Sequence, residues 1–127
     1  LYLETDAEGR IALGNRCVLS RGVHLSSRTA IILGDGCMIG EYVSIRDANH
    51  HYGNGLMVRD SGFSTTALTL GRNVWIGRGA VILPGVSIGD NTVIAANAVV
   101  NRSLPADVLA GGVPAKVLRK LAGAGHD

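Results

Sequence analysis

Aliphatic residues between Leu70 and Pro105 recur at every sixth position. The segment divides into LGRNVW, IGRGAV, ILPGVS, IGDNTV, IAANAV and VNRSLP. The first residue of each six is aliphatic, the fifth is mostly small or β-branched, and glycine often follows the first. A six-residue period of this kind is typical of a β-solenoid built from hexapeptide repeats.

The period also predicts which residues contact each other. Three sixes make one triangular coil of about 18 residues, with the leading residue of each six pointing inward. Coils stack through parallel ladders about 4.8 Å apart, so Leu70 should stack on Ile88 and Ile76 on Ile94. A single coil cannot bury its inner face, so several must stack. Gly, Asn and Asp at the corners supply the positive φ that tight turns need.

The first part of the chain follows the same period in a different phase. Residues 1–12 fit it weakly, as a frayed first coil, and the phase becomes clear at Leu13. The pair Ile31 and Ile32 then shifts the frame by two residues, which predicts a small bulge at one corner. The aliphatic residues that lead these sixes are Leu13, Leu19, Leu25, Leu33, Ile39 and Ile45.

The repeat stops at His50 and again after Pro105. Residues 51–69 have no period, which predicts a loop expelled from one corner, and long loops in compact folds are often functional. After Pro105, a proline suited to a first helical turn and three apolar residues predict a short C-terminal α-helix that caps the solenoid. These residues are Pro114, Val117, Leu118 and Leu121. The chain is thus predicted to be one all-β domain: coils in 1–50 and 70–105, a loop in 51–69, and a helix and tail in 106–127.

Composition agrees with a narrow solenoid, because only 4% of the residues are aromatic while 18 are glycine. The net charge of +2 is too small to predict nucleic-acid binding. No apolar run approaches membrane-spanning length and no signal peptide is visible, so we expect a cytoplasmic protein without membrane insertion. Cys17 and Cys37 fall at equivalent fifth positions, which predicts two stacked, reduced core thiols. Because Leu1 is not Met, it stays open whether the N-terminus is truncated.

Among the four histidines, position favours His50 as the functional one. It ends a repeat at the mouth of the long loop, where a rigid scaffold supports a loop. His51 should point the other way in extended chain, while His24 and His126 are expected to be structural or surface residues. No nucleophile elbow and no metal-ligand spacing is recognisable, so neither covalent catalysis nor a metal site is predicted. A single imidazole acting as general base remains.

Several segments together resemble one family. They are DANH followed by RDSGF, the repeats NVWIGRGAVILPGVSIGDNTVI, and VPAKVLRKL near the end. Over about residues 33–121 the chain resembles the hexapeptide-repeat acetyltransferases, most of all the maltose, galactoside and nodulation-type sugar O-acetyltransferases and those acting on capsule or lipopolysaccharide sugars. The resemblance implies a left-handed parallel β-helix, although the general rule for parallel crossovers would predict a right-handed one. It also implies a homotrimer with active sites between subunits, acetyl-CoA as acyl donor and a saccharide acceptor.

The resemblance further implies roles for individual residues. His50 would deprotonate an acceptor hydroxyl, which attacks the thioester of acetyl-CoA directly. Asp47 or a backbone carbonyl would hold the second ring nitrogen of His50, and Trp75 would lie outward, near the acceptor groove. The acetyl-CoA contacts would come from the main chain of Arg78 and Ala96 and, for the phosphates, from the cations Arg102, Lys116 and Arg119.

The sequence also departs from the family pattern. Asn97 stands where many relatives have a corner glycine, which Asn tolerates through the left-handed region. The sequence given contains no recognisable counterpart of the N-terminal helical segment of the maltose and galactoside enzymes, and its loop differs from theirs, so acceptor identity is not carried over. Two alternatives stay open: a non-catalytic trimeric scaffold, and a γ-carbonic-anhydrase-like zinc enzyme, which would need three suitably spaced histidines.

Overall fold

A computed structural model describes residues 1–122, and its regular structure consists of short β-strands and one 3₁₀ turn. The 3₁₀ turn spans Val58–Asp60. The strands are β1 Tyr2–Thr5, β2 Ile11–Leu13, β3 Val18–Leu19, β4 His24–Ser27, β5 Ile31–Leu33, β6 Met38–Ile39, β7 Ser44–Arg46, β8 Ala48–His50, β9 Phe63–Thr65, β10 Leu68–Leu70, β11 Trp75–Ile76, β12 Val81–Ile82, β13 Ser87–Ile88, β14 Val93–Ile94, β15 Val99–Val100, β16 Val108–Gly111 and β17 Lys116–Lys120.

Three parallel sheets form the sides of a triangular prism. Face 1 has the order β1-β4-β7-β12-β15, face 2 has β2-β5-β10-β13, and face 3 has β3-β6-β11-β14-β16. Consecutive strands belong to different faces, so the chain winds around the prism and each strand pairs with its equivalent one coil away. The predicted parallel solenoid is confirmed.

The leading residues of the sixes stack in the predicted register. Leu70 is the ladder partner of Ile88, and Ile76 is the partner of Ile94. Leu13 pairs with Leu33, twenty positions along, so the two extra residues before β5 are accommodated at a corner without disturbing the ladder. The leading residues of the central coils are almost fully buried, which removes their aliphatic surface from water and stabilises the stack.

Positive φ occurs at the fourth position of the sixes, where the chain turns a corner. Arg16, Tyr42, Asn73 and Asn97 have φ of 60°, 60°, 56° and 60°, and glycine occupies several equivalent corners. The left-handed conformation expected of Asn97 is therefore confirmed. Glycine at the second position has a different cause: a Cβ on Gly77 would lie 2.7 Å from the Ala96 amide nitrogen. Close stacking, and not positive φ, requires it there.

The predicted C-terminal helix is wrong. Residues 116–120 form β17, which pairs antiparallel with β16 through a turn that contains Pro114. Since β16 is the last parallel strand of face 3, a helix would leave its outer edge of amide and carbonyl groups unpaired. The added strand pairs that edge, so backbone pairing outweighs the helical pattern of apolar residues.

The predicted loop is a β-hairpin. Strands β8 and β9 pair antiparallel, with Ala48 opposite Thr65 and His50 opposite Phe63, and the 3₁₀ turn lies near the tip. The hairpin leaves the solenoid between faces 1 and 2, and the prism resumes at Leu68, where β10 pairs with β5. The histidine that ended the repeat is therefore part of a paired strand.

Replacing Arg16 by Gly should stabilise the protein. A non-glycine residue in the left-handed region costs roughly 1–2 kcal/mol. Against this gain, Gly makes the unfolded chain more flexible, and the extra entropy lost on folding costs about 0.5–1 kcal/mol. We expect a gain of up to about 1 kcal/mol in the free energy of unfolding, measured with urea. Arg72→Gly is the matched control, because Arg72 has no positive φ and should lose stability. Equal losses in both variants would contradict the corner assignment.

Candidate active site

An open cleft lies between the base of the hairpin and the outer surface of face 1. It encloses about 100 Å³ and is open to solvent, and its walls are mostly polar. One wall is formed by strands of the prism and the other by β8 and β9 with the exposed side chain of His50. The lining residues are Glu4, Ser26, Arg28, Arg46, Ala48, Asn49, His50 and Phe63.

His51 does not line this cleft. Its Nδ1 is 3.0 Å from the Ser61 carbonyl oxygen and its Nε2 is 2.7 Å from the Ser64 hydroxyl. Since a carbonyl only accepts, Nδ1 carries the proton, and Nε2 accepts from the Ser64 hydroxyl. The His51 side chain therefore links the two arms of the hairpin through hydrogen bonds. The His50 ring makes no such bond to residues 1–122, so its nitrogens can meet a ligand or another subunit.

Asp47 does not hold His50, and the predicted pairing between them needs correction. Its fully buried carboxylate accepts hydrogen bonds from the Ser27 hydroxyl (2.7 Å) and from the amides of Arg28 (2.8 Å) and Thr29 (3.0 Å). Ser27 ends β4, and Arg28 and Thr29 begin the corner that holds the two extra residues. Its carbonyl accepts from the Thr66 amide at 2.9 Å, which closes the base of the hairpin. Burial also removes it from direct contact with an acceptor, so its role is to join the bulge to the hairpin.

Two arginines supply positive charge to the cleft. The Arg28 guanidinium lies 4.1 Å from the centre of the Phe63 ring and 3.1 Å from the Asp6 carboxylate. Arg46 has no ion pair with a carboxylate among the described residues. The sequence reasoning missed Arg28, Arg46 and Phe63 as site residues. The one signal in the sequence for Arg28 was the two-residue shift of the six-residue period at Ile31, since this shift marks the corner on which Arg28 lies.

Arg78 and Ala96 are equivalent residues of stacked coils, on the corner between faces 3 and 1. Both are exposed. The Arg78 carbonyl accepts from the Asn97 amide at 2.8 Å, while the Arg78 amide and both main-chain groups of Ala96 make no hydrogen bond with described residues. These free main-chain groups can bind an extended, peptide-like ligand along the corner.

A second cleft of about 530 Å³ lies at the C-terminal end of the prism. Arg102 approaches it from the corner after β15, and Lys116 from the start of β17. The structure thus brings together two of the three predicted phosphate-binding cations. Arg119 is exposed on β17 but does not line this cleft.

Trp75 points outward, as predicted, with 54% of its surface exposed. On face 3 it is the ladder partner of Met38, which in turn pairs with Val18, and all three side chains are half exposed. Trp75 does not line the cleft that His50 lines, so one chain alone does not unite these two predicted site residues.

The remaining candidates lie outside the site. Cys17 and Cys37 are free thiols, and burial raises the pKa of the Cys37 thiol, which keeps it protonated and poorly nucleophilic at neutral pH. His24 packs edge-on against Tyr2 on face 1, and His126 lies outside the described residues. Among residues 1–122 there is no cluster of metal-binding side chains and no helix suited to crossing a bilayer.

Comparison with known proteins identifies the family. The model of the bacterial transferase hexapeptide (six repeats) matches residues 68–102. Galactoside O-acetyltransferase of Escherichia coli K12 is 38% identical over 91 residues, which are 72% of this chain and 44% of that enzyme. A hexapeptide-repeat-containing acetyltransferase of Vibrio cholerae, solved with acetyl-CoA, superimposes with a TM-score of 0.86 at 31% identity, covering 95% of this chain and 66% of the other. The chain belongs to the hexapeptide-repeat acetyltransferase family.

The family fold is the left-handed parallel β-helix, and the chain shares it. A maltose O-acetyltransferase of Clostridium difficile superimposes equally well, with a TM-score of 0.84 at 31% identity, covering 95% of this chain and 64% of that one. The chain spans less than half of the E. coli enzyme. The comparisons therefore establish the hexapeptide family and its fold, and what the whole protein acts on is a matter for proposal.

Asp47→Asn should destabilise the protein by about 1–3 kcal/mol, because an amide cannot accept all the hydrogen bonds of the buried carboxylate. Urea unfolding measures the change. Asp35→Asn is the matched control: the exposed Asp35 carboxylate accepts one bond, from the Asn15 amide at 2.8 Å, and should lose less. Unchanged stability with loss of turnover in Asp47→Asn would instead indicate a direct contact with His50.

Proposed function

We propose that the chain is the catalytic β-helix of an acetyl-CoA-dependent O-acetyltransferase that acetylates a hydroxyl group of a saccharide. The observation that carries the proposal is the position of His50, exposed at the base of the hairpin in a polar cleft. A saccharide needs such a cleft, with donors and acceptors at several positions. A relative of the same fold is solved with acetyl-CoA, which supports the nature of the donor.

In this proposal His50 acts as general base. A ring nitrogen takes the proton of the acceptor hydroxyl while that oxygen forms a bond to the thioester carbonyl carbon. The carbon–sulfur bond then breaks, and the imidazolium returns the proton to the departing thiolate. The products are the acetyl ester and free CoA. An imidazole is the side chain best suited to take up and release a proton in this way at neutral pH.

The chain offers groups that fit acetyl-CoA. The unpaired main-chain groups of Ala96 and the Arg78 amide can bond the amides of the pantetheine arm. Arg102 and Lys116 line one cleft and can neutralise phosphates. Arg119, outside that cleft, is proposed as a weaker, peripheral contact.

The proposal includes a homotrimer with sites between subunits. Trp75, Met38 and Val18 form an exposed apolar row on face 3, and such patches are typical of interaction surfaces. Packing this row against a neighbouring prism would bring Trp75 towards a His50 of another chain, which one chain alone does not achieve. Trp75 would then border the acceptor groove.

His50→Ala should reduce kcat for acetyl transfer by at least 10²-fold, the lower range for loss of a general base, while thermal unfolding stays unchanged. The measurement is CoA thiol release with a panel of sugars and amino sugars. His51→Ala is the control, because its ring lies outside the cleft; it should retain more turnover and lose some stability. If His51→Ala were the inactive variant and His50→Ala active, the base would be misassigned.

Replacing both Arg102 and Lys116 by Ala should raise the KM for acetyl-CoA with little change in kcat. Each lost charge-assisted contact is worth about 1.5–3 kcal/mol, and every 1.4 kcal/mol is about tenfold in affinity. Lys120→Ala is the control, since Lys120 is exposed on the same strand and outside the cleft. A loss confined to kcat in the double variant would argue against phosphate binding there.

A further inference from the structure

The His50 cleft carries charged side chains of both signs. Glu4, Ser26 and Arg46 are ladder partners on the outer surface of face 1, so their side chains form one row along the floor of the cleft. Arg28 approaches the same space from the corner bulge. The row therefore runs from a carboxylate, through a hydroxyl, to a guanidinium.

The negative end of this row already has partners. The Ser26 hydroxyl donates to Glu4 at 2.9 Å, and the Glu4 carboxylate lies 4.0 Å from His24 Nε2. The bond from Ser26 leaves other acceptor sites of the exposed Glu4 carboxylate free, so the cleft keeps a negative end as well as a positive one.

Arg46, the positive end of the row, has no carboxylate partner among the described residues, while Arg28 has one. Arg46 is exposed and has no ion pair among residues 1–122. Arg28 is bonded to Asp6 through one terminal nitrogen, and the Phe63 ring supports its guanidinium plane at 4.1 Å. A guanidinium has five N–H donors, so Arg28 retains donors after this bond. Because Asp6 and Phe63 already restrict the Arg28 side chain, it loses less conformational entropy on binding a ligand than an unrestricted arginine would.

We infer that, given the proposed acetyl transfer at His50, the acceptor is an acidic saccharide whose carboxylate binds Arg46, with Arg28 as a second donor. A planar carboxylate matches the fork of a guanidinium. Arg46 precedes β8 and His50 ends it, so the strand links the charge-binding residue to the base. The carboxylate fixes one end of the sugar and leaves a hydroxyl of the same ring for His50.

The experiment compares three acceptors: the methyl glycoside of galacturonic acid, its methyl ester, which removes the charge, and methyl galactoside, which has CH2OH in place of the carboxylate. For the unmodified protein, we expect kcat/KM at least tenfold higher for the free acid, decreasing as salt is raised. Arg46→Gln should remove most of this preference, because it should lower kcat/KM for the free acid, through KM, much more than kcat/KM for the neutral sugars. Arg46→Lys should restore part of it, since it keeps the charge but not the fork.

Arg72→Gln is the matched control, because Arg72 is an exposed arginine on a solenoid corner outside the cleft, and it should preserve the preference. Equal kcat/KM for acid and ester, or equal losses on both in Arg46→Gln, would overturn the inference while leaving the proposed transfer intact.

Binding of the same three sugars, measured by saturation-transfer NMR, separates the two proposals if no acceptor is acetylated. Preferential binding of the acid that Arg46→Gln abolishes would support the charge-binding site and count against the proposed transfer to these sugars. Absence of any preference for the acid, with or without turnover, would overturn the charge-binding site.

Discussion

The spacing between stacked coils is the constraint on which the rest of the structure depends. Each strand must lie about 4.8 Å from its equivalent in the next coil to pair its backbone, and two requirements follow. The leading residues must be aliphatic because each sits on its counterpart, as Leu70 does on Ile88. Second positions must be small where the next coil approaches, as at Gly77, whose Cβ would clash with the Ala96 amide.

The same constraint explains how the site is built. A regular solenoid offers only repeated, shallow surfaces, so a cleft requires a departure from the period. Two departures meet at one corner: the bulge at Arg28 and the hairpin that begins at Ala48. The buried Asp47 joins them, since its carboxylate binds the bulge and its carbonyl binds Thr66 at the hairpin base. His50 and Arg28 are thereby held on opposite walls of one cleft.

Hydrogen bonding also separates the two neighbouring histidines into different roles. His50 ends β8 and lines the cleft, whereas His51 follows the strand, and of the two rings only that of His51 has partners within the hairpin, at Ser61 and Ser64. The better-fixed imidazole thus serves structure, and the free one faces the cleft. In the proposed trimer, a catalytic His50 needs a group that accepts a hydrogen bond from its second ring nitrogen and so orients the ring. That group would belong to the sugar, to acetyl-CoA or to a neighbouring subunit.

The sequence by itself determined what depends on local period. The coils, the Leu70–Ile88 and Ile76–Ile94 contacts, the left-handed Asn97 and the outward Trp75 follow from a six-residue pattern, because each position repeats one environment. Tertiary structure decided what depends on pairing partners. The apolar spacing at 117, 118 and 121 favours a helix, yet the open edge of β16 makes 116–120 a strand. Asp47 resembles a ligand for His50 in sequence, but burial beside the bulge gives its carboxylate other partners. Arg46 and Arg28 are ordinary surface charges in the sequence, and only the folded corner brings them to one cleft.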